Sequence, residues 1–156
     1  MVSLKETCPD KIDEILRRFP QKKSASIPLL HLAWDIDGYI TPEAMIEVAD
    51  IVGTSPAHIQ GIASFYTMFP LKPRGKYHIE ICTNISCHLR GSQEIVNAVE
   101  TKLGIRCGKR TEDERYSLET VECIAGCSWA PCMQINGKEY TNLTPETIGD
   151  ILDSLP

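Results

Sequence analysis

The residues in this chain best suited to chemistry are cysteines. Cys82 and Cys87 enclose four residues in "ICTNISCHLRG", and Cys123 and Cys127 enclose three in "ECIAGCSWAPC". Each pair follows a strand-like run, so two loops offer two thiols each. Four thiolates at such spacing suit a structural zinc ion, whose paired ligands usually stand two to four residues apart. They also suit a 2Fe–2S rhomb, which is wider than a single ion and matches two loops giving two thiolates each. The first pair shares the C-x4-C of the plant-type iron–sulfur spacing, although the rest of that pattern is missing. A redox dithiol is the third candidate, but no two of the seven cysteines are spaced C-x-x-C.

The surroundings add detail. Cys87 is expected at the start of a helix, where unpaired backbone N–H groups favour negative charge. Trp129 and Pro131 are candidates to shield one side of the site. Cys132 reads as a small core residue of the strand after the second loop, and it is the first substitute ligand to consider. Cys8 and Cys107 have no partner at ligand spacing and read as incidental. The four histidines show no metal spacing among themselves, and His88 reads as a solvated helix-start residue. There is no G-x-G-x-x-G, no Walker loop and no Ser/His/Asp arrangement. The chain reads as the holder of a redox centre that binds no nucleotide itself.

The elements that must position these thiols are legible from periodicity. In the first half, "PDKIDEILRRF" puts Ile12, Ile15, Leu16 and Phe19 on one helical face. "SASIPLLHLAWDIDGYI" is a second helix, with Pro28 in its first turn. Thr41-Pro42 and Ser55-Pro56 are two further helix starts, and Gly53 is a stop. Ile59, Ile62, Ala63 and Tyr66 mark the buried face after the second of these starts. "PLKPRGK" (70–76) breaks the pattern, which predicts a helical region over 1–72 and a second domain over 73–156. There, "KYHIEICT" is a strand with Tyr77, Ile79 and Ile81 on one face. "HLRGSQEIVNAVETKLG" is one helix with Leu89, Ser92, Val96, Val99 and Leu103 on one side. "RYSLETVEC" is a second strand, "PCMQI" and "KEYTN" flank an Asn136-Gly137 hairpin, and Thr144 caps a last helix. The order of strand, helix, strand, hairpin and helix gives an α/β class: an N-terminal helical bundle followed by a thioredoxin-like domain.

The bulk numbers bound the function. A chain of 156 residues forms one domain or two small ones and buries roughly 70% of its unfolded surface. Sixteen basic against 21 acidic residues leave a net charge of −5, with no Lys/Arg cluster, which argues against nucleic acid as partner. The start "MVSLKETCPDK" has charges where a signal peptide needs an apolar core, and the run "IPLLHLAW" is too short to span a bilayer. The expectation is a soluble cytoplasmic protein with reduced cysteines and no membrane insertion.

"GIASFYTMFPLKPRGKYHIEICTNISCHLRGSQEI" and "VECIAGCSWAPCMQING" together resemble the small 2Fe–2S subunit of respiratory complex I, the thioredoxin-like NADH dehydrogenase subunit family. The resemblance covers nearly the whole chain. It implies one 2Fe–2S cluster on Cys82, Cys87, Cys123 and Cys127. It also implies a partner flavoprotein that carries FMN and the NADH site, within a larger complex peripheral to the inner membrane. Hydride chemistry then belongs to the partner, and this chain exchanges an electron with its flavin. The same subunit type occurs in NAD-dependent formate dehydrogenases and NAD(P)-linked hydrogenases, and a free-standing thioredoxin-like ferredoxin is a further alternative. Two positions depart from the family. Its second loop usually reads C-L-G-x-C, whereas here Ile124-Ala125-Gly126 moves the glycine one place on, which leaves the loop's backbone path open. The residue after Pro131 is commonly apolar, and here it is Cys132.

Overall fold

The computed structural model describes residues 3–156. The chain forms two compact units, Met1–Pro73 and Arg74–Pro156.

The first unit is helical: α1 (Leu4–Thr7), α2 (Pro9–Arg17), α3 (Ser26–Asp37), α4 (Pro42–Val52) and α5 (Pro56–Phe65), with a 3-10 turn at Lys22–Ala25 before α3. Helix starts follow local chemistry. The Thr41 hydroxyl accepts the Ala44 N–H at 3.0 Å, and the Ser55 hydroxyl accepts the His58 N–H at 3.3 Å. Gly38 and Gly53 end α3 and α4 in the left-handed region, which glycine enters without Cβ conflict. Leu29, Leu30, Ile40, Val48 and Ile59 are fully buried between the helices, with Ile12 and Phe69 at the edge of the same core. Tyr66, expected on the buried face of α5, stands 39% exposed instead.

The second unit contains β1 (Tyr77–Cys82), α6 (Ile85–Leu89), α7 (Ser92–Leu103), β2 (Lys109–Arg110), β3 (Tyr116–Val121), β4 (Met133–Ile135), β5 (Lys138–Tyr140) and α8 (Pro145–Asp153). Its sheet runs β2-β3-β1-β4-β5. Only β1 and β3 are parallel, and the other three pairings are antiparallel. This mixed α/β arrangement is the expected class. The sheet has two unlike faces. Ile79, Ile81, Leu118, Met133 and Ile135 point to one face and bury against Ile95, Val96 and Val99 of α7 and Ile148 and Leu152 of α8. The alternate positions, His78, Glu80, Ser117, Glu119 and Gln134, carry polar groups to the other face, as a period of two requires. That polar face is largely bonded: the His78 ring meets the Ser117 hydroxyl at 2.8 Å, and Gln134 donates to Glu80 at 2.6 Å.

The expected single helix over 88–104 is two helices. Arg90-Gly91 separates α6 from α7, with Gly91 at φ +90°. Leu89 therefore leaves the α7 face and stands 78% exposed, while Ser92, Val96 and Val99 are buried as expected.

Candidate metal centre

Strand pairing sets the positions of the thiols. β1 and β3 run parallel with Cys82 opposite Val121, so both two-cysteine loops leave the same end of neighbouring strands. On the other side of β1, β4 runs antiparallel with Ile81 opposite Met133. One step further along, the Cys82 N–H donates to the Cys132 carbonyl at 3.1 Å, so Cys132 faces Cys82 across the strands. After β1 the chain turns at Asn84, whose side chain accepts the Ile85 N–H at 2.8 Å and opens α6, the helix that carries Cys87.

These elements bring three sulfurs together. The Sγ atoms of Cys82, Cys87 and Cys132 all lie within 4.8 Å of one another, and the Cys87–Cys132 pair is 3.6 Å apart. All three residues are 1% exposed. Cys123 and Cys127 are not in this group: both are exposed on the β3–β4 loop, next to the 3-10 turn Cys127–Trp129. Their loop nevertheless touches the triad. Ile124 packs against Cys82, Cys87, Ala130 and Cys132, and its N–H donates to Cys82 Sγ. The Ala125 N–H donates to Cys123 Sγ at 3.2 Å.

Cys132, expected as a small core residue and as the first substitute ligand, is buried and stands beside Cys82 and Cys87. Its position directly before a strand antiparallel to β1 sets it opposite Cys82. Trp129 is 58% exposed and does not shield the site within this chain, whereas Pro131 is buried. His88 is exposed, as expected for a solvated helix residue. Cys8 packs at the edge of the helical core of the first unit, and the Cys107 thiol donates to the Thr120 hydroxyl at 3.8 Å.

The loop departure at 124–126 has a geometric answer. Ala125, the position at which the resemblance leads one to expect glycine, adopts φ +65°, in the left-handed region. An L-residue there costs about 1 kcal/mol. Gly126 serves another purpose: a Cβ at this position would stand 3.0 Å from Cys132 Sγ. The relocated glycine and the extra cysteine are therefore complementary, one leaving room for the sulfur of the other.

The electrostatics favour one thiolate among the buried three. Burial acts to raise the Cys82 thiol, but N–H groups of Asn84 and Ile124 and the thiols of Cys87 and Cys132 outweigh it and hold Cys82 below the ordinary thiol range. Burial, and then the neighbouring Cys82 sulfur, push Cys87 up. Burial, with Cys87 next, pushes Cys132 up to about 12. Sulfur donors with backbone N–H groups aimed at them are the donor set of a thiolate-held metal centre, and the two loops fit a 2Fe–2S cluster in donor chemistry.

Comparisons with known proteins point the same way. The profile of the family described as thioredoxin-like [2Fe-2S] ferredoxin matches residues 12–156. The chain is 42% identical to an NADH-quinone oxidoreductase subunit of Rickettsia conorii over 146 residues, 92% of this chain and 87% of that protein. It is 36% identical to an NADH-quinone oxidoreductase subunit of Rhizobium meliloti over 148 residues, 95% of this chain and 88% of that one. Against an NADH-quinone oxidoreductase subunit of Mycobacterium tuberculosis the identity is 37%, and the match spans 91% of this chain and 56% of that longer protein. Among solved structures, an NAD+-reducing [NiFe]-hydrogenase in the air-oxidised state superposes with a TM-score of 0.67 at 25% identity. That match covers 84% of this chain but only 24% of the hydrogenase chain. By family profile and by these relatives, the chain belongs to the thioredoxin-like [2Fe-2S] ferredoxin family.

Proposed function

We propose that this protein is the electron-transfer subunit of an NADH-oxidising complex of the NADH-quinone oxidoreductase type, with one 2Fe–2S cluster held by Cys82, Cys87, Cys123 and Cys127. The observation that carries the reading is the pair of two-cysteine loops leaving the same end of the parallel strands β1 and β3. When bound there, a 2Fe–2S cluster supplies a centre that takes up and returns one electron at a time. The chain's own groups do the rest. The four thiolates fix the centre between the loops. The N–H groups of Asn84, Ile124 and Ala125, directed at Cys82 and Cys123, offset negative charge on the sulfurs and so favour the reduced state. Burial of Cys82 and Cys87 keeps water from one side, while exposed Cys123 and Cys127 leave the other side within reach of a partner.

That partner is a flavoprotein carrying FMN and the NADH site. The residues flanking the ligands in sequence suit a protein surface: Ile85, Leu89 and Trp129 are 71%, 78% and 58% exposed. In this reading the chain docks on the cytoplasmic periphery of a larger assembly. No helix among the described residues is long and apolar enough to cross a membrane. The likeness to an NAD+-reducing hydrogenase supports a second reading, the equivalent subunit of an NAD-linked hydrogenase.

Low-temperature EPR on anaerobically purified protein tests the centre. A silent oxidised state, a paramagnetic signal after dithionite and loss of that signal in Cys82→Ala or Cys127→Ala are expected. A protein that stays colourless and EPR-silent after anaerobic reconstitution with iron and sulfide would overturn the electron-transfer role. Affinity purification at native expression level then separates the two readings, since an FMN protein accompanied by quinone-reductase subunits and one accompanied by a nickel–iron subunit are distinct outcomes.

A further inference from the structure

The buried thiol triad differs in membership from the proposed cluster ligands. It shares Cys82 and Cys87 with them, but its third member is Cys132. Its geometry is that of a single-ion site. Tetrahedral metal–sulfur bonds of about 2.3 Å place sulfurs about 3.8 Å apart, and Cys87 and Cys132 already stand at 3.6 Å. Among the described residues no histidine or carboxylate joins the group, so the donors are soft and select thiophilic ions over magnesium or calcium. Backbone N–H groups point at the sulfurs: Asn84 and Ile124 donate to Cys82, and Cys132 donates to Cys87. They offset the excess negative charge that three thiolates leave around a divalent cation. Gly126 keeps the space beside Cys132 Sγ open, since a Cβ there would come within 3.0 Å of it. A small apolar residue at 132 would fill the core equally well, so packing alone does not require sulfur at that place.

We propose that Cys82, Cys87 and Cys132 form a three-thiolate site for a single thiophilic divalent cation of the zinc class, occupied when the 2Fe–2S cluster is absent. The two forms are mutually exclusive, because both need Cys82 and Cys87. Binding is a ligand exchange: the ion forms three sulfur bonds, gives up bound water, and displaces to solvent the protons still on the thiols. No electron moves.

The test uses full-length protein prepared anaerobically without its cluster and titrated with cobalt(II), followed by displacement with zinc(II). Wild type and the Cys123→Ala/Cys127→Ala double variant should both bind one cobalt with thiolate-to-cobalt charge-transfer absorption and similar affinity. Cys132→Val, chosen to keep the core filled, should weaken binding at least about tenfold, the smallest loss seen even for outer-sphere partners. Cys132→Ser provides a second variant should valine disturb folding, which circular dichroism reads directly. Zinc loaded beforehand should slow cluster reconstitution in wild type and not in Cys132→Val. Cobalt binding by Cys132→Val at wild-type affinity, or its abolition in the Cys123/Cys127 double variant, would overturn the proposal. Neither result depends on the EPR outcome for the cluster, so this site and the electron-transfer reading fail separately.

Discussion

At the scale of single residues, the second loop shows how two substitutions can share one cause. Ala125 holds φ +65° where glycine would be free of strain, and Gly126 holds an ordinary φ of −86° beside a sulfur that a Cβ would crowd at 3.0 Å. Ala125→Gly should therefore remove about 1 kcal/mol of backbone strain, partly offset by the greater freedom of glycine in the unfolded chain. The expected net gain is about 0.5 kcal/mol, a rise of roughly 2–4 °C in the thermal midpoint of the second unit measured by calorimetry. A fall would mean that the methyl group of Ala125 contributes packing that outweighs the strain. Gly126→Ala should act in the opposite direction and displace Cys132, with cobalt affinity of the buried triad as the more sensitive readout. Sequence spacing singles out Cys82 and Cys87, which the structure brings together, but it ranks Cys132 as core first and as a substitute ligand only second. The reason is physical: sequence separation says nothing about which residues an antiparallel register sets side by side, and Cys82 meets Cys132 only through the pairing of Ile81 with Met133.

At the scale of elements, local chemistry was readable and long-range capping was not. Thr41-Pro42, Ser55-Pro56 and Thr144-Pro145 each open a helix where the cap residue predicts it, since each hydroxyl accepts an N–H of its own first turn. The Asn136-Gly137 turn joins β4 to β5 as its positive-φ preference requires. By contrast, α1 escaped notice because its support comes from 43 positions away: Glu47 on α4 accepts the Leu4 N–H at 2.9 Å, the Lys5 N–H at 2.8 Å and the Ser3 hydroxyl at 2.7 Å. Burial works to raise the Glu47 carboxyl, but these donors and the Lys5 charge outweigh it and hold it below the ordinary glutamate range. A lowered folded-state pKa means that the stabilisation is complete above the unfolded value of 4.5 and is lost as pH falls through the folded one. Glu47→Gln should thus flatten the acid limb of the stability–pH profile below about pH 4.5. At neutral pH it should cost about 1 kcal/mol, a modest amount because the carboxylate is only partly buried. Denaturant midpoints from pH 3 to 7 would show this as two curves that converge toward acid. Parallel curves would mean that Glu47 does not titrate against α1.

At the scale of the whole molecule, the described residues form one apolar core among α1 to α5, one between the sheet and helices α7 and α8, and a small third around Cys82, Cys87, Ala130 and Cys132. Every cysteine of the candidate centre belongs to the second unit. That unit is anchored before its first strand begins. The Gly75 N–H donates to the Ser117 hydroxyl at 3.0 Å, and the Lys76 N–H donates to the Glu114 carbonyl at 3.0 Å. Gly75 lies so close to β3 that a Cβ on it would stand 2.4 Å from the Tyr116 carbonyl carbon, a backbone atom with nowhere to retreat. Gly75→Ala must push the two segments apart and loosen the N-terminal edge of the β1–β3 pairing, the pairing that aligns both two-cysteine loops at its other end. The expected cost is about 2 kcal/mol, typical of overpacking against a rigid neighbour. For a unit of this size that corresponds to a fall of roughly 10 °C in its thermal midpoint. Hydrogen exchange should report the loss in β1 and β3 and leave α3 and α4 protected as before, because those helices draw their stability from the other core. A fragment covering 74–156 should retain the cluster signal, whereas one starting at Tyr77 loses both anchoring bonds and should hold it less stably. Equal cluster retention by the two fragments would show that β1 is fixed by its ladder and helices alone, and that Gly75 matters only through the clash a side chain would bring.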